Sequence, residues 1–365
     1  EGGNLDLARP LYLSTQTYDM YLRPDSSTRG HAQWFYFRVN CQTAQQLTFL
    51  LRNLSKPKSM FAKGATPYFS LDNENWQSVN NAEYFSTSYP PSEDPRPVNC
   101  RPLNTLKFTF NFQADKPVYF AYCPPYTFAK LQSYLSSLLV SKAIRSESLC
   151  TSLTGLSVPL IRLDPLSMDS SKYSAETDRR PAFFIIARVH PGETCGSHMM
   201  HGVMRELTGD SYYSRSLRDA FEFILIPMFN PDGVVLGNFR TDLVGDDLNR
   251  QYIHPSVKFH PSIVAFIRLF QEMKHKKRVA GLLDLHGHST KPGVFTYGPQ
   301  ISSSDSFSNY THIFPYFVSL RTPMFKFDKC TYKLTKHKLS TARAYFLKKG
   351  RLGITRGEVC LHCGS

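Results

Sequence analysis

Three short apolar runs in the second half of the chain constrain its fold more than any other feature. They cover residues 182–187, 223–228 and 279–285, and apolar residues fill almost every position. Such runs are typical of strands that are buried on both faces, as in parallel sheets covered by helices. Helical patterns at 195–207 and 261–273 lie between them. We therefore predict an α/β domain over residues 126–365, with a mixed, mostly parallel sheet flanked by helices.

The first third of the chain has a different pattern. Residues 34–39 form a dense aromatic and β-branched run, residues 106–112 alternate at period two, and further short strand patterns occur at 47–51 and 118–122. Short strands without an intervening helix are typical of an antiparallel sandwich. We predict a β-sandwich domain over residues 1–125, followed by a helix near residues 129–139 that opens the α/β domain.

The composition is that of a folded chain, with 365 residues, 41% hydrophobic and 20% charged. No apolar run reaches the roughly 18 residues of a membrane-spanning helix, so we expect no membrane partner. Eight cysteines in a chain of this length are too sparse for a disulfide scaffold, which favours a reducing compartment such as the cytoplasm. The start at Glu1, without an initiator Met, indicates an excised piece.

The net charge of +14 is concentrated at the carboxyl end, where residues 274–365 carry 16 Lys and Arg against 4 Asp and Glu. A basic surface there indicates an acidic partner, which charge alone leaves open as a nucleic acid, an anionic membrane or an acidic peptide. A solubilising face is the alternative. We expect no nucleic-acid partner, because the sequence lacks basic residues interleaved with aromatics in a recognisable motif.

Metal-ligating residue types follow two of the predicted strands. His190-Pro-Gly-Glu193 comes after the first buried strand, and Asp284-Leu-His286-Gly-His288 ends the third. Because open α/β sheets place their sites at the carboxyl ends of strands, His190, Glu193 and His286 are expected to converge. Two imidazoles and one carboxylate are a ligand set of catalytic zinc. A lone His-x-x-Glu arises by chance, so the prediction depends on the second strand-end histidine.

The loop between the second and third buried strands adds polar candidates. It contains the turn-forming pair Asn230-Pro231 and the residues Arg240, Asn249 and Arg250. Beside a metal, such arginines and an asparagine would grip a carboxylate, since guanidinium binds it in a planar fork. Helix capping and surface ion pairing are the alternative roles.

Five motifs together resemble the cytosolic carboxypeptidase subfamily of zinc metallocarboxypeptidases. They are, in chain order, His190-Pro-Gly-Glu193-Thr194, Asn230-Pro-Asp-Gly-Val234, Gly237-Asn-Phe-Arg240, Asp247-Leu-Asn-Arg250 and Asp284-Leu-His-Gly-His-Ser289. The segments 33–39 and 119–128 resemble that subfamily's β-sandwich and its entry into the catalytic domain. The resemblance covers nearly the whole chain and implies a carboxypeptidase-like fold after the β-sandwich.

The resemblance also implies roles for individual residues. His190, Glu193 and His286 would bind one zinc ion, and Arg240 would help to polarise the scissile carbonyl. Asn249 and Arg250 would hold the terminal α-carboxylate of the substrate, and Arg343 would bind an acidic side chain. Asp284 is expected to support the metal site or cap its strand, and His288 to orient the loop. These roles are expectations at this point.

The chain departs from the family pattern near its end. The family has its general base in a Tyr-Thr-x-Glu segment, whereas this chain reads Gly353-Ile-Thr-Arg-Gly-Glu358-Val-Cys-Leu-His-Cys-Gly-Ser365. Glu358 is the only acidic residue after Asp328, and it is our candidate for the catalytic base. The alternative is that the catalytic domain is truncated at its carboxyl end and lacks the true segment.

The resemblance implies a zinc carboxypeptidase that removes terminal or side-chain glutamates from proteins such as tubulin. We expect a cytoplasmic monomer that acts on glutamate-rich tails at microtubules or cilia. A catalytically impaired or incomplete domain that only binds acidic tails is the alternative, because the base differs from the family pattern.

Overall fold

The fold is described from a computed structural model of the chain. It describes residues 1–11, 14–87, 103–139, 144–166, 178–298, 310–349 and 358–364. Within these ranges, none of the helices combines the length and apolarity needed to cross a bilayer.

Within the described ranges, the amino-terminal part is a β domain with nine strands. They are β1 Leu5–Leu11, β2 Ser14–Leu22, β3 Tyr36–Val39, β4 Gln45–Leu54, β5 Tyr68–Ser70, β6 Gln77–Ser78, β7 Glu83–Thr87, β8 Leu103–Phe112 and β9 Val118–Ala121. One sheet has the order β1-β2-β4-β8-β7, and the other has the order β3-β9-β5-β6. The pairs are antiparallel, as predicted, except that β2 and β4 run parallel.

Aromatic side chains fill the space between these two sheets. Phe49 of β4 lies with its ring centroid 5.6 Å from Phe120 of β9, and Phe37 of β3 lies 5.6 Å from Phe120 as well. Phe108 of β8 completes the group at 5.4 Å from Phe49. The dense aromatic runs therefore form the interior of a β-sandwich, which explains why the sequence alternates there.

The remaining chain forms a mixed sheet with helices on both faces. Its strands are β10 Ile144–Thr151, β11 Ser157–Leu163, β12 Ala182–Ala187, β13 Glu222–Ile226, β14 Val279–His288, β15 Val294–Tyr297 and β16 Glu358–Gly364. Its helices are α1 Phe128–Leu138, α2 Thr194–Leu207, α3 Tyr212–Ala220, α4 Pro231–Leu236, α5 Pro261–Lys276, α6 Tyr310–Ser319 and α7 Ala342–Lys349. Short 3-10 turns add Phe61–Lys63, Leu248–Arg250, Phe327–Lys329 and Lys336–Lys338.

The sheet order is β10-β11-β13-β12-β14-β16-β15. Strands β12, β13, β14 and β16 are parallel, whereas β10, β11 and β15 pair antiparallel at the two edges. On one face, Phe184 packs against Phe266 and Phe270 of α5. On the other face, Ile185 belongs to a core that includes Met200 of α2. The predicted α/β architecture is confirmed, and the buried strands are covered on both faces.

One local prediction was wrong. Asn230-Pro231 is not a simple turn, because Pro231 begins helix α4. The Asn230 side-chain oxygen accepts a hydrogen bond from the Gly233 backbone N–H at 3.0 Å, which caps the helix. Proline is well accommodated at the first helical position because its missing N–H would have no partner inside the helix.

Candidate metal centre

The sheet brings the three predicted metal ligands together. Parallel pairing of Ile186 with Asp284 sets the carboxyl ends of β12 and β14 side by side. His190 and Glu193 follow β12 in the turn before α2, and His286 lies near the end of β14.

The ligand atoms of His190, Glu193 and His286 all lie within 4.8 Å of one another. His190 Nδ1 lies 3.0 Å from Glu193 Oε1 and 3.2 Å from His286 Nδ1, and His286 Nδ1 lies 3.0 Å from Glu193 Oε2. Two nitrogens and a carboxylate therefore converge on one point. This donor set fits a zinc ion that keeps an open position for substrate.

Each histidine turns its other ring nitrogen toward a carboxylate. His190 Nε2 lies 3.0 Å from Asp247 Oδ1, and His286 Nε2 lies 2.7 Å from Asp284 Oδ2. A carboxylate accepts the N–H on that side, so the nitrogen facing the cluster is left with a lone pair for metal. Asp284 thus supports His286 from within the same strand, and Asp247 supports His190 from the loop.

The electrostatics of the cluster favour an ionised Glu193. Burial raises the pKa of its carboxyl group, but the imidazoles of His190 and His286 outweigh burial and hold that pKa well below its usual value. Glu193 Oε2 also accepts a hydrogen bond from the Gly287 N–H at 2.7 Å. A Cβ atom at position 287 would lie 2.9 Å from Glu193 Cγ, so this close approach requires glycine.

A cavity of about 230 Å³ opens beside the triad. Its lining contains all four arginine and asparagine side chains that the sequence singled out as substrate-binding or catalytic: Arg240, Asn249, Arg250 and Arg343. Arg240 donates to Asp247 Oδ2 at 2.6 Å, and Arg250 lies 3.9 Å from the same oxygen. Asp247 therefore fixes a histidine of the triad and both arginines of the loop.

Asn249 and Arg343 enter the cavity with part of their hydrogen-bonding capacity used by the fold. Asn249 Oδ1 accepts from the Ala342 N–H at 3.0 Å, which ties the loop to the first turn of α7. Arg343 is buried and donates to the Gly298 carbonyl at 3.0 Å. His288 lies outside the triad: its Nδ1 accepts from the Lys291 N–H at 3.1 Å and so holds the loop after β14.

The strand register separates Glu358 from the triad. The backbone of Glu358 pairs with Leu282, whereas His286 pairs with His362 four residues further along β16. At about 3.3 Å per residue, Glu358 lies roughly 13 Å before His286 along the sheet. The backbone of residue 358 therefore lies away from the triad, and the role of Glu358 as the catalytic base stays a prediction.

Two residues of the β domain belong to the site although no local pattern in the sequence indicates them. The buried Asp25 accepts from the backbone N–H groups of Phe239, Arg240 and Thr241 at 2.6, 2.7 and 2.8 Å. Lys56 lies in the cavity lining, although the motif Ser55-Lys56-Pro57 indicates only a turn. Both act across the boundary between the domains, which no local pattern encodes.

Comparison with known proteins agrees with this geometry. The zinc carboxypeptidase family profile matches residues 139–311, and the profile of the cytosolic carboxypeptidase N-terminal domain matches residues 1–123. In this fold, the convergent His-x-x-Glu and histidine side chains are the zinc-ligand set of the zinc carboxypeptidase family, with zinc as the cofactor. The chain belongs to the cytosolic carboxypeptidase family.

Similar proteins cover the chain to different extents. Cytosolic carboxypeptidase 3 of Mus musculus is 34% identical over 96% of this chain and 35% of its own length. Cytosolic carboxypeptidase 6 of Caenorhabditis elegans is 35% identical over 82% of this chain and 63% of its own length. This chain thus spans about a third to two thirds of these relatives.

Solved structures share the fold. A metallo-carboxypeptidase from Burkholderia cenocepacia superimposes with a TM-score of 0.79 at 22% identity, covering 100% of this chain and 88% of that one. A metallo-carboxypeptidase from Pseudomonas aeruginosa, in complex with (2-guanidinoethylmercapto)succinic acid, gives a TM-score of 0.77 at 23% identity, with the same coverage.

Proposed function

We propose that this chain is a metallocarboxypeptidase that removes glutamate from glutamate-rich protein tails, with tubulin as a substrate. One observation carries the proposal. Among the described lining residues of the cavity beside the triad, Glu193 is the only acidic side chain. Five lining side chains are cationic: Lys56, Arg240, Arg250, Lys338 and Arg343. A cavity of this charge favours a substrate with several carboxylates.

Different residues of the cavity contact different parts of such a substrate. His190, Glu193 and His286 would hold zinc, which supplies Lewis-acid polarisation of the scissile carbonyl and activation of water. The Arg240 guanidinium, anchored by Asp247, adds positive charge beside that carbonyl. Asn249 and Arg250 bind the α-carboxylate, which restricts cleavage to the last residue.

Arg343 gives the preference for glutamate in this proposal. It lies at the start of α7, its guanidinium carbon is 5.7 Å from the centre of the Tyr297 ring, and its Nη1 is anchored on the Gly298 carbonyl. A buried guanidinium held in this way binds a carboxylate side chain more strongly than a neutral one.

The register of β16 supports a second candidate, a domain that binds acidic tails without cleaving them. Among the described side chains that line the cavity, no carboxylate other than Glu193 is available to accept a proton. A hydrolytic mechanism needs such a group within hydrogen-bond reach.

Release of free glutamate distinguishes the two candidates. Zinc-loaded protein is incubated with a peptide that ends in several glutamates and with a matched peptide that ends in alanines. The carboxypeptidase proposal expects release from the first peptide above the second, and expects Arg343→Ala to reduce release of glutamate more than release of alanine. Tight binding of the glutamate peptide without release favours the second candidate.

We also propose a cytoplasmic, monomeric enzyme at microtubules or cilia, divided into domains at residues 1–125 and 126–365. The family matches at 1–123 and 139–311 support the division. The names of the relatives, cytosolic carboxypeptidases, support the compartment.

A further inference from the structure

Lys56 is a residue of the β domain that lines the active-site cavity. It follows β4 by two positions, yet it shares the cavity with His190 and Glu193 of the other domain. Its ammonium nitrogen lies 4.2 Å from the centre of the Phe239 ring, on the loop that carries Arg240. The aromatic face supports the aliphatic stem and the charge of this lysine beside the site.

The β domain fixes the backbone of Lys56 from both sides. Its N–H donates to Gln33 Oε1 at 3.1 Å, and Gln33 is completely buried. Its carbonyl accepts a hydrogen bond from the Tyr84 hydroxyl. The interior of the β domain therefore fixes the point of the backbone from which the Lys56 side chain extends toward the cavity.

The fold anchors the three arginines of the cavity. Arg240 and Arg250 share Asp247, and Arg343 donates to the Gly298 carbonyl. Among the described residues, no carboxylate oxygen lies within 4.0 Å of Lys56 Nζ. A half-buried ammonium without a carboxylate partner is costly, and the cost falls when an anion enters the cavity.

Burial also changes the pKa of Lys56. Burial lowers its pKa from 10.5 to about 8, with Glu193 raising it and Arg240 lowering it further.

We propose that Lys56 binds the side-chain carboxylate of an acidic residue that precedes the one removed. This inference rests on the proposed function. In that function, Asn249 and Arg250 take the terminal α-carboxylate and Arg343 takes the terminal side chain. The anionic groups of a glutamate tail that remain are the upstream side chains, and Lys56 is the cation that the β domain contributes to the cavity. The β domain thereby sets a preference for runs of acidic residues over a single terminal glutamate.

The test compares two peptides that differ only in the residue before the last. One ends in Glu-Glu and the other in Ala-Glu. Four zinc-loaded proteins are measured: wild type, Lys56→Met, which keeps the length without the charge, Lys56→Arg, which keeps the charge, and Lys58→Met. Lys58 is the matched control, since it is an exposed lysine two residues away and outside the cavity lining.

We expect Lys56→Met to lower kcat/KM for the Glu-Glu peptide about tenfold relative to the Ala-Glu peptide, through KM. Lys56→Arg should restore most of the difference, and Lys58→Met should resemble wild type. Equal effects of Lys56→Met on both peptides, with glutamate still released, overturn the role of Lys56 and leave the proposed function intact.

Equilibrium binding of the same peptides, labelled and followed by fluorescence anisotropy, separates the two ideas when turnover is absent. A selective loss of Glu-Glu binding in Lys56→Met supports the lysine even if wild type releases no glutamate, a result that counts against the proposed function alone. Failure of wild type to bind the Glu-Glu peptide overturns both.

Discussion

The carboxylate of Asp25 organises the loop that carries Arg240, and its removal is a direct test of how the two domains share one site. Asp25 is 3% exposed and accepts three backbone N–H groups and, at 3.2 Å, the Thr241 hydroxyl. The next residue, Ser26, contacts the same loop, since its N–H donates to Asn238 Oδ1 at 3.0 Å. We expect Asp25→Ala to loosen residues 239–241 and displace the Arg240 guanidinium.

The magnitude follows from the number of donors left without an acceptor. Each unsatisfied buried N–H costs about 1–3 kcal/mol. With three of them, and with water entering the space of the lost side chain, we expect a local destabilisation of about 3–5 kcal/mol. Since Arg240 acts on the reacting carbonyl in the proposed function, the loss should appear mainly in kcat.

Hydrogen exchange is the appropriate assay, because a two-domain chain does not guarantee a single unfolding transition. The amides of residues 239–241 should exchange faster in zinc-loaded Asp25→Ala than in wild type. Asp72→Ala is the matched control: Asp72 also accepts two backbone N–H groups, from Glu74 and Asn75, but on the exposed surface of the β domain. Unchanged exchange of the three amides in Asp25→Ala would refute the reasoning.

Three further predictions concern the metal, the charge and the last strand. His190→Ala should abolish stoichiometric zinc binding. Asp247→Asn should weaken zinc affinity about 10–100-fold, because the His190 ring loses its carboxylate partner. Elemental analysis that shows as much zinc in His190→Ala as in wild type would contradict the ligand assignment. Raising salt from roughly 50 to 200 mM should slow association of a glutamate peptide, and more so for a longer one, because screening shortens the reach of the basic surface; a salt-independent rate would reduce that charge to a role in solubility. Glu358→Gln should leave any glutamate release unchanged, since the register keeps residue 358 away from His286; loss of release with zinc still bound would restore Glu358 as the base.

Much of the catalytic scaffold was predictable because its strands are buried on both faces. The run at 182–187 corresponds to β12 over the same residues, and the run at 279–285 lies within β14. In such strands almost every position is buried and apolar, so a continuous apolar run predicts where the strand lies. The convergence of the metal ligands then follows from the parallel order of β12 and β14.

The edges of the sheet were not predictable in the same way. Strand β10 reads IRSESLCT and is mostly exposed or half-buried, and it pairs antiparallel with β11 at the border of the sheet. An edge strand with one solvated face has no continuous apolar run, and the polar residues Ser146 to Ser148 interrupt the alternation. Helix α3 was missed for a related reason, since it is short and exposes Tyr212 and Tyr213.

The contribution of the β domain to the site shows why net charge is an incomplete guide to a binding surface. Residues 1–128 carry 12 Lys and Arg against 10 Asp and Glu, so the sequence gives this part no electrostatic prominence. Yet it supplies the Asp25 carboxylate, which binds the Arg240 loop, and the Lys56 ammonium, which lines the cavity. It also supplies Lys63, whose Nζ donates to the Thr290 carbonyl at 2.6 Å on the loop after β14. A charge acts here through its position and its partners. In the proposed function, the basic last quarter attracts an acidic tail from a distance, whereas Asp25 and Lys56 act where the two domains meet.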